Sequence, residues 1–207
     1  MDCRSIIAFS AMLLLGGCAS MSADECRTAD WRTVGFEDGQ NGSPGRLGDY
    51  RKDCAKAGIA PDLDEYELGR AEGVRRYCTP AKGYDVGKSG GSHYGVCPSD
   101  LEVAFSEAFK DGRILYRLTA EVNQIESRIS DVYRDIDYDE EEIRELERQL
   151  VEEPGDRANR QRLLDEIKER TRSAEAHRIE LVELDRDLFV AERDLEEYRE
   201  LQGDGYR

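Results

Sequence analysis

Glu153-Pro154-Gly155-Asp156 is the stretch on which the fold turns. Before it, apolar residues step by three and four: Leu118, Val122, Ile125, Ile129, Val132, Ile136, Ile143, Leu146 and Leu150. After it the stepping resumes at Leu163, Ile167, Ala174, Leu181, Leu184, Leu188, Ala191, Leu195 and Tyr198. This spacing keeps one apolar seam along a helix, with the period of a coiled coil. Proline removes a backbone donor and glycine ends helices, so the stretch divides one long helix into two. Asp156 can cap the second. Two helices joined by so short a break fold back antiparallel, each arm reaching roughly 60–75 Å at about 1.5 Å per residue. The expected antiparallel coiled-coil hairpin occupies residues 113–207.

The turn also sets the register. With its centre at Pro154-Gly155, facing residues have numbers that add to about 309 or 310. Leu146 then meets Leu163, Ile136 meets Ala174, Ile129 meets Leu181, Ile125 meets Leu184 and Val122 meets Leu188. The first seam has one gap, at Asp139 and Glu140, and it falls opposite Arg170. A polar pair in an apolar seam lowers stability but selects one alignment. Asp139, Glu140 and Arg170 are therefore the expected register lock.

Residues 18–112 read differently. Glycines recur four apart, at Gly35/Gly39, Gly69/Gly73, Gly83/Gly87 and Gly91/Gly95. An aromatic-x-x-Gly unit recurs at Phe36, Tyr66, Tyr84 and Phe109. On helices such glycines share a face and admit a second backbone. They are not phosphate loops, because no alternating β-branched run precedes them. Asp30 opens one helix that frays near Gly42, and residues 46–57 form another ending at Gly58. Asp62-Leu63-Asp64-Glu65 has the form of a capping box for a helix reaching Tyr77, and Ser99 with Glu102 for the long helix that follows. The expectation is all-α: a small disulfide-bonded, glycine-rich domain of short helices, followed by the hairpin.

Charge narrows the partners. The chain of 207 residues carries a formal net charge of −16. Residues 113–207 hold 28 acidic and 17 basic groups, a net of −11. Such a surface argues against nucleic acid and against spreading on anionic lipid.

At the N-terminus an apolar run at residues 6–15 leads into Leu15-Gly16-Gly17-Cys18. The run is too short for a transmembrane span and has the length of a signal-peptide core, although residues 1–5 carry only one positive charge. Leu15 to Cys18 resembles a bacterial lipobox. That resemblance implies cleavage of residues 1–17 and a diacylglycerol thioether and acylated amino group on Cys18. Ala19 after the cysteine implies the inner leaflet of the outer membrane, facing the periplasm. Cys3 leaves with the signal, so Cys26, Cys54, Cys78 and Cys97 remain. An even number in an oxidising compartment reads as two disulfides. The gaps lack the close pairs that zinc sites use. Three pairings are possible; Cys26–Cys54 with Cys78–Cys97 is favoured because each closes a local loop.

Asp30-Trp31, Gly39 to Gly42, Tyr66-x-x-Gly69-x-x-x-Gly73, Tyr77-Cys78, Gly83-Tyr84-x-x-Gly87 and Tyr94-x-x-Cys97-Pro98 follow in an order that resembles the bacterial lipoproteins catalogued as domain of unknown function 2799. The resemblance covers about residues 18–116. It implies an architecture and an address, and brings no activity, cofactor or catalytic residue.

No catalytic pattern stands out. With only His93 and His177, no Ser–His–Asp arrangement can be argued. His177 falls on the seam and reads as a half-buried polar residue. Asp135-Ile136-Asp137-Tyr138-Asp139 imitates a calcium loop, but Glu140 and Leu146 occupy the positions that need Gly and Glu. Neither a metal nor a cofactor is expected. The leading expectation is a non-enzymatic envelope lipoprotein, held to the membrane through Cys18 and acting as a structural or interaction module for another envelope protein. The alternative is a periplasmic ligand-binding domain for peptidoglycan or a glycan, with Trp31, Tyr84 and Tyr94 as its binding face, although these three read first as core of a small domain with few other large residues.

Overall fold

The computed structural model describes residues 21–152, 155–202 and 205–206. Cys18 and Pro154 lie outside them. Seven helices follow in order: α1 (Ala23–Thr28), α2 (Trp31–Gln40), α3 (Leu47–Ala55), α4 (Leu63–Tyr77), α5 (Pro80–Lys88), α6 (Ser99–Glu152) and α7 (Arg157–Gln202), with no strand among the described residues. None is long and apolar enough to cross a membrane. The chain divides into two compact units, one ending at Tyr77 and the next beginning at Cys78. This corrects the expected boundary between residues 112 and 113, which falls inside the unbroken α6. Gly112 does not stop that helix; it clears room for a neighbour.

In the first unit, Asp30 caps α2 through Arg32 and Thr33, and Glu65 N–H donates to Asp62 Oδ1 at 3.1 Å at the start of α4. α1 was not foreseen; Ser22 and Glu25 close a reciprocal capping box that starts it. α2 and α4 cross backbone to backbone. A Cβ at Gly35 would strike the Tyr66 carbonyl, and one at Gly39 the Arg70 carbonyl. Reciprocally, Gly69 faces the Arg32 carbonyl and Gly73 the Phe36 carbonyl. Beside this crossing Trp31, Tyr50, Tyr66, Cys26 and Cys54 form the core.

The second unit repeats the crossing with α5 and the start of α6. Gly83 and Gly87 face the Phe105 and Phe109 carbonyls, and Gly112 faces the Tyr84 carbonyl. Thus Gly35, Gly39 and Gly73 correspond to Gly83, Gly87 and Gly112, Tyr66 to Phe105, and Gly69 to Ala108. The helix ends agree too. Ser43 N–H donates to Asp38 O at 3.1 Å and Gly91 N–H to Val86 O at 2.9 Å, the closing bond of the same glycine cap. The cap glycines have positive φ, 65° at Gly42 and 75° at Gly90. Tyr77 covers the first and Tyr116 the second. The two units therefore hold two copies of one helix-pair motif. Of the four aromatic-x-x-Gly units, Phe36 and Tyr84 are equivalent, whereas the equivalent of Tyr66 is Phe105, one turn before Phe109.

Beyond Gly112, α6 and α7 run antiparallel. Val122, Ala191 and Leu195 form one buried cluster with Leu118, Ile125 and Leu188 against it. Val132, Ile136 and Leu181 form another with Ile129 and Leu184. Asn159 N–H donates to Asp156 Oδ1 at 2.8 Å, so Asp156 caps α7.

Candidate functional site

Four side-chain clusters and surfaces carry chemistry. In the hairpin, Asp139 is only 2 % exposed. Arg170 Nη1 donates to its Oδ1 at 3.0 Å, and His177 Nδ1 lies 3.6 Å from its Oδ2. Burial pushes the Asp139 carboxyl up, but hydrogen bonds from Ser173 and Arg170 and the nearby Arg170 and His177 outweigh it, leaving the group below the usual carboxylate range. Of the expected lock, Asp139 and Arg170 meet. Glu140 does not join them; it accepts from Arg178 at 2.6 Å on the surface. The polar layer thus includes His177, the half-buried seam residue, and Ser173, which the apolar stepping does not mark.

In the first unit, Asp38 is 6 % exposed. It accepts from Tyr66 Oη at 2.8 Å and from Tyr50 Oη at 3.1 Å. Burial and the Asp38 carboxylate hold the Tyr50 hydroxyl up at about 12. Burial and the Asp38 hydrogen bond raise Tyr66 as well. The arrangement satisfies the buried carboxylate through two tyrosine donors, with the Arg46 guanidinium 4.0 Å from its Oδ1.

In the second unit, His93 Nε2 is 2.7 Å from Glu102 Oε1 and 3.3 Å from Ser106 Oγ. Ser106 Oγ itself donates to Glu102 Oε1 at 2.8 Å. A Ser–His–acid relay places serine and acid on opposite ring nitrogens. Here both sit at Nε2, while Nδ1 has no hydrogen-bond partner among the described residues. The imidazole packs against Phe105 and Phe109, with centroids 5.0 and 5.6 Å away. This geometry ties residues 89–98 to α6. It also corrects the Ser99/Glu102 capping box: Glu102 is turned to His93, whose hydrogen bond holds its carboxyl below the usual range.

The fourth is the outer face of α7. Ile179, Val182 and Phe189 are 65, 64 and 67 % exposed. Their spacing puts them on one stripe, away from the buried Ala174, Leu181 and Ala191. Arg172 and Arg186 lie on the same stripe and have no ion-pair partner among the described residues. Val190 borders an open groove of about 480 Å³ between α6 and α7, lined also by Glu121, Ile125, Arg128, Leu184 and Asp187.

Of the aromatic face in the alternative reading, Trp31 and Tyr84 are covered. Trp31 is 9 % exposed, in the core of the first unit. Tyr84 is covered by the chain's own Tyr206, stacked at 4.7 Å, whose hydroxyl donates to Asp111 Oδ2 at 2.5 Å. Tyr94, in the second unit, is 61 % exposed. The four cysteines do pair: Cys26–Cys54 with Cα atoms 5.5 Å apart and Cys78–Cys97 at 5.6 Å. No cluster of His, Cys, Asp and Glu able to hold a metal occurs among the described residues.

Residues 30–114 match the family described as Protein of unknown function (DUF2799). The DUF2799 match begins at the cap of α2 and ends in α6 just past Gly112, so it takes in both crossings and stops where the hairpin leaves them. Neither a curated protein nor a solved structure matches the chain.

Proposed function

We propose that this chain is an exported lipoprotein, tethered through Cys18 to the inner leaflet of the outer membrane, and that it serves as an interaction module for another envelope protein. The outer face of α7 carries the reading. Its seam residues are already buried against α6, yet Ile179, Val182 and Phe189 remain exposed beside the unpaired Arg172 and Arg186. Exposed large apolar side chains in a row are a usual mark of an interaction surface. The address is supported by the paired cysteines, since disulfides persist in oxidising compartments. Each closed loop contributes about 3 kcal/mol.

The test is a surface variant, Ile179→Glu with Val182→Glu and Phe189→Glu, compared with wild type by crosslinking in intact cells and mass spectrometry. The crosslinked partner should disappear while the helical signal and its melting midpoint stay unchanged. Undiminished crosslinking in the folded variant would move the interaction site off this face.

A further inference from the structure

The two glycine crossings pose a recognition problem. Their contacts are backbone against backbone: Gly35 and Gly39 on the carbonyls of Tyr66 and Arg70, Gly83 and Gly87 on those of Phe105 and Phe109. A carbonyl carries no record of its residue's identity. The glycine face of α2 therefore fits α6 about as well as α4, and that of α5 fits α4 about as well as α6. Exchange could occur within a chain or between two copies, the route that produces domain-swapped dimers.

Side chains next to the glycines differ between the copies, and they differ as a set. Asp38 on α2 corresponds to Val86 on α5. Tyr66 on α4 corresponds to Phe105 on α6, and both rings are 0 % exposed. One crossing is thus polar on both sides, joined by the 2.8 Å bond from Tyr66 Oη to Asp38 Oδ2, and the other is apolar on both sides. The second crossing shows that the motif folds without the polar pair. A mismatched crossing would be penalised either way. α2 on α6 would bury Asp38 against a ring with no hydroxyl, taking away its shortest donor and leaving Tyr50 and the Arg46 guanidinium, and α5 on α4 would set the Tyr66 hydroxyl, which accepts from the Arg46 N–H, against Val86 with no acceptor for its proton. A buried polar group that loses a partner is the costly case, and specificity commonly comes from such built-in penalties.

We infer that Asp38 and Tyr66, with Tyr50 as second donor, form a pairing key that directs α2 to α4 and keeps the two helix pairs from exchanging with each other or with a second copy of the chain. Val86 and Phe105 are the complementary apolar half of the key.

The experiment uses the full mature chain, unfolded and reduced, then refolded and reoxidised as a mixture of tagged and untagged copies. The quantity read is the untagged protein retained with the tag after co-refolding, less that retained when the two are mixed after folding. Asp38→Val with Tyr50→Phe and Tyr66→Phe makes both crossings apolar. It should keep the helical signal and raise the exchanged fraction at least about fivefold. Adding Val86→Asp and Phe105→Tyr moves the key to the other crossing and should return the fraction towards wild type. An unchanged fraction in the first variant overturns the inference. So does a first variant that cannot regain its helical signal, because the cluster would then hold the fold and not sort the pairs. Failure of the second variant to lower the fraction also overturns it.

Discussion

Gly48 and Gly69 both lie within helices, yet their replacement by alanine should act in opposite directions. Gly48 in α3 has nothing within 4 Å of an added Cβ and no positive φ. Alanine there removes the excess freedom of glycine and should stabilise the first unit by about 0.5–1 kcal/mol. Gly69 gains the same helical advantage but its Cβ would collide with the Arg32 carbonyl of α2, a backbone group that cannot rotate aside. The helices would have to part along a crossing that three other glycines hold closed. Overpacking of this kind costs roughly 1–3 kcal/mol where side chains can yield, and here they cannot. Gly69→Ala should therefore destabilise by about 3 kcal/mol or more, a large part of the stability of a small unit. The assay is urea unfolding followed by tryptophan fluorescence. Trp31 is the chain's one tryptophan and packs in the core beside this crossing, so its signal reports the first unit alone. A Gly69→Ala midpoint equal to wild type, or Gly48→Ala as damaging as Gly69→Ala, would refute the backbone-contact reasoning.

Helical circular dichroism follows the hairpin, since α6 and α7 hold most helical residues; by that signal Arg170→Leu should lower the melting midpoint by several degrees, and adding Asp139→Leu should recover it. Glu140→Gln should leave the midpoint in place, because Glu140 pairs only with the exposed Arg178. The lowered Asp139 carboxyl stabilises the folded state fully above the ordinary aspartate range, and that contribution disappears as pH falls through its lower folded value; an acid melt should show a shallower pH slope in Asp139→Asn. Tyr198 is held up at about 12 by burial and the Asp111 charge, and Tyr206 at about 12 by its Asp111 hydrogen bond. With Tyr50 also at about 12, an ultraviolet titration should show a late group of tyrosines, and stability should fall as pH climbs from about 10 towards that range.

The hairpin was legible because its signals are local and periodic. A three-four seam, a proline–glycine break and one acidic gap suffice to place Asp139 opposite Arg170 across 31 positions of chain. The cap at Asp156 and the favoured disulfide pairing follow from similarly short-range rules. The glycine spacing announced close helix contacts, but not which carbonyl each glycine meets, so the correspondence between the two crossings emerges only from the contacts themselves. Gly112 looked like a boundary and proved to be a contact. Asp38 resembled any solvated acid, because its donors Tyr50 and Tyr66 come from other helices, 12 and 28 positions away. Trp31 and Tyr84 read first as core and only in the alternative as a binding face, since aromatic identity alone does not reveal burial; Trp31 is core and Tyr84 is covered by Tyr206.

The measurement that tests the account most directly is the intact mass of the protein extracted from membranes, before and after reduction with thiol alkylation. The account predicts a chain beginning at Cys18 and carrying diacylglyceryl mass, with Cys26, Cys54, Cys78 and Cys97 alkylated only after reduction. A chain that keeps residues 1–17, or an unlipidated chain whose four cysteines alkylate without reduction, would contradict it.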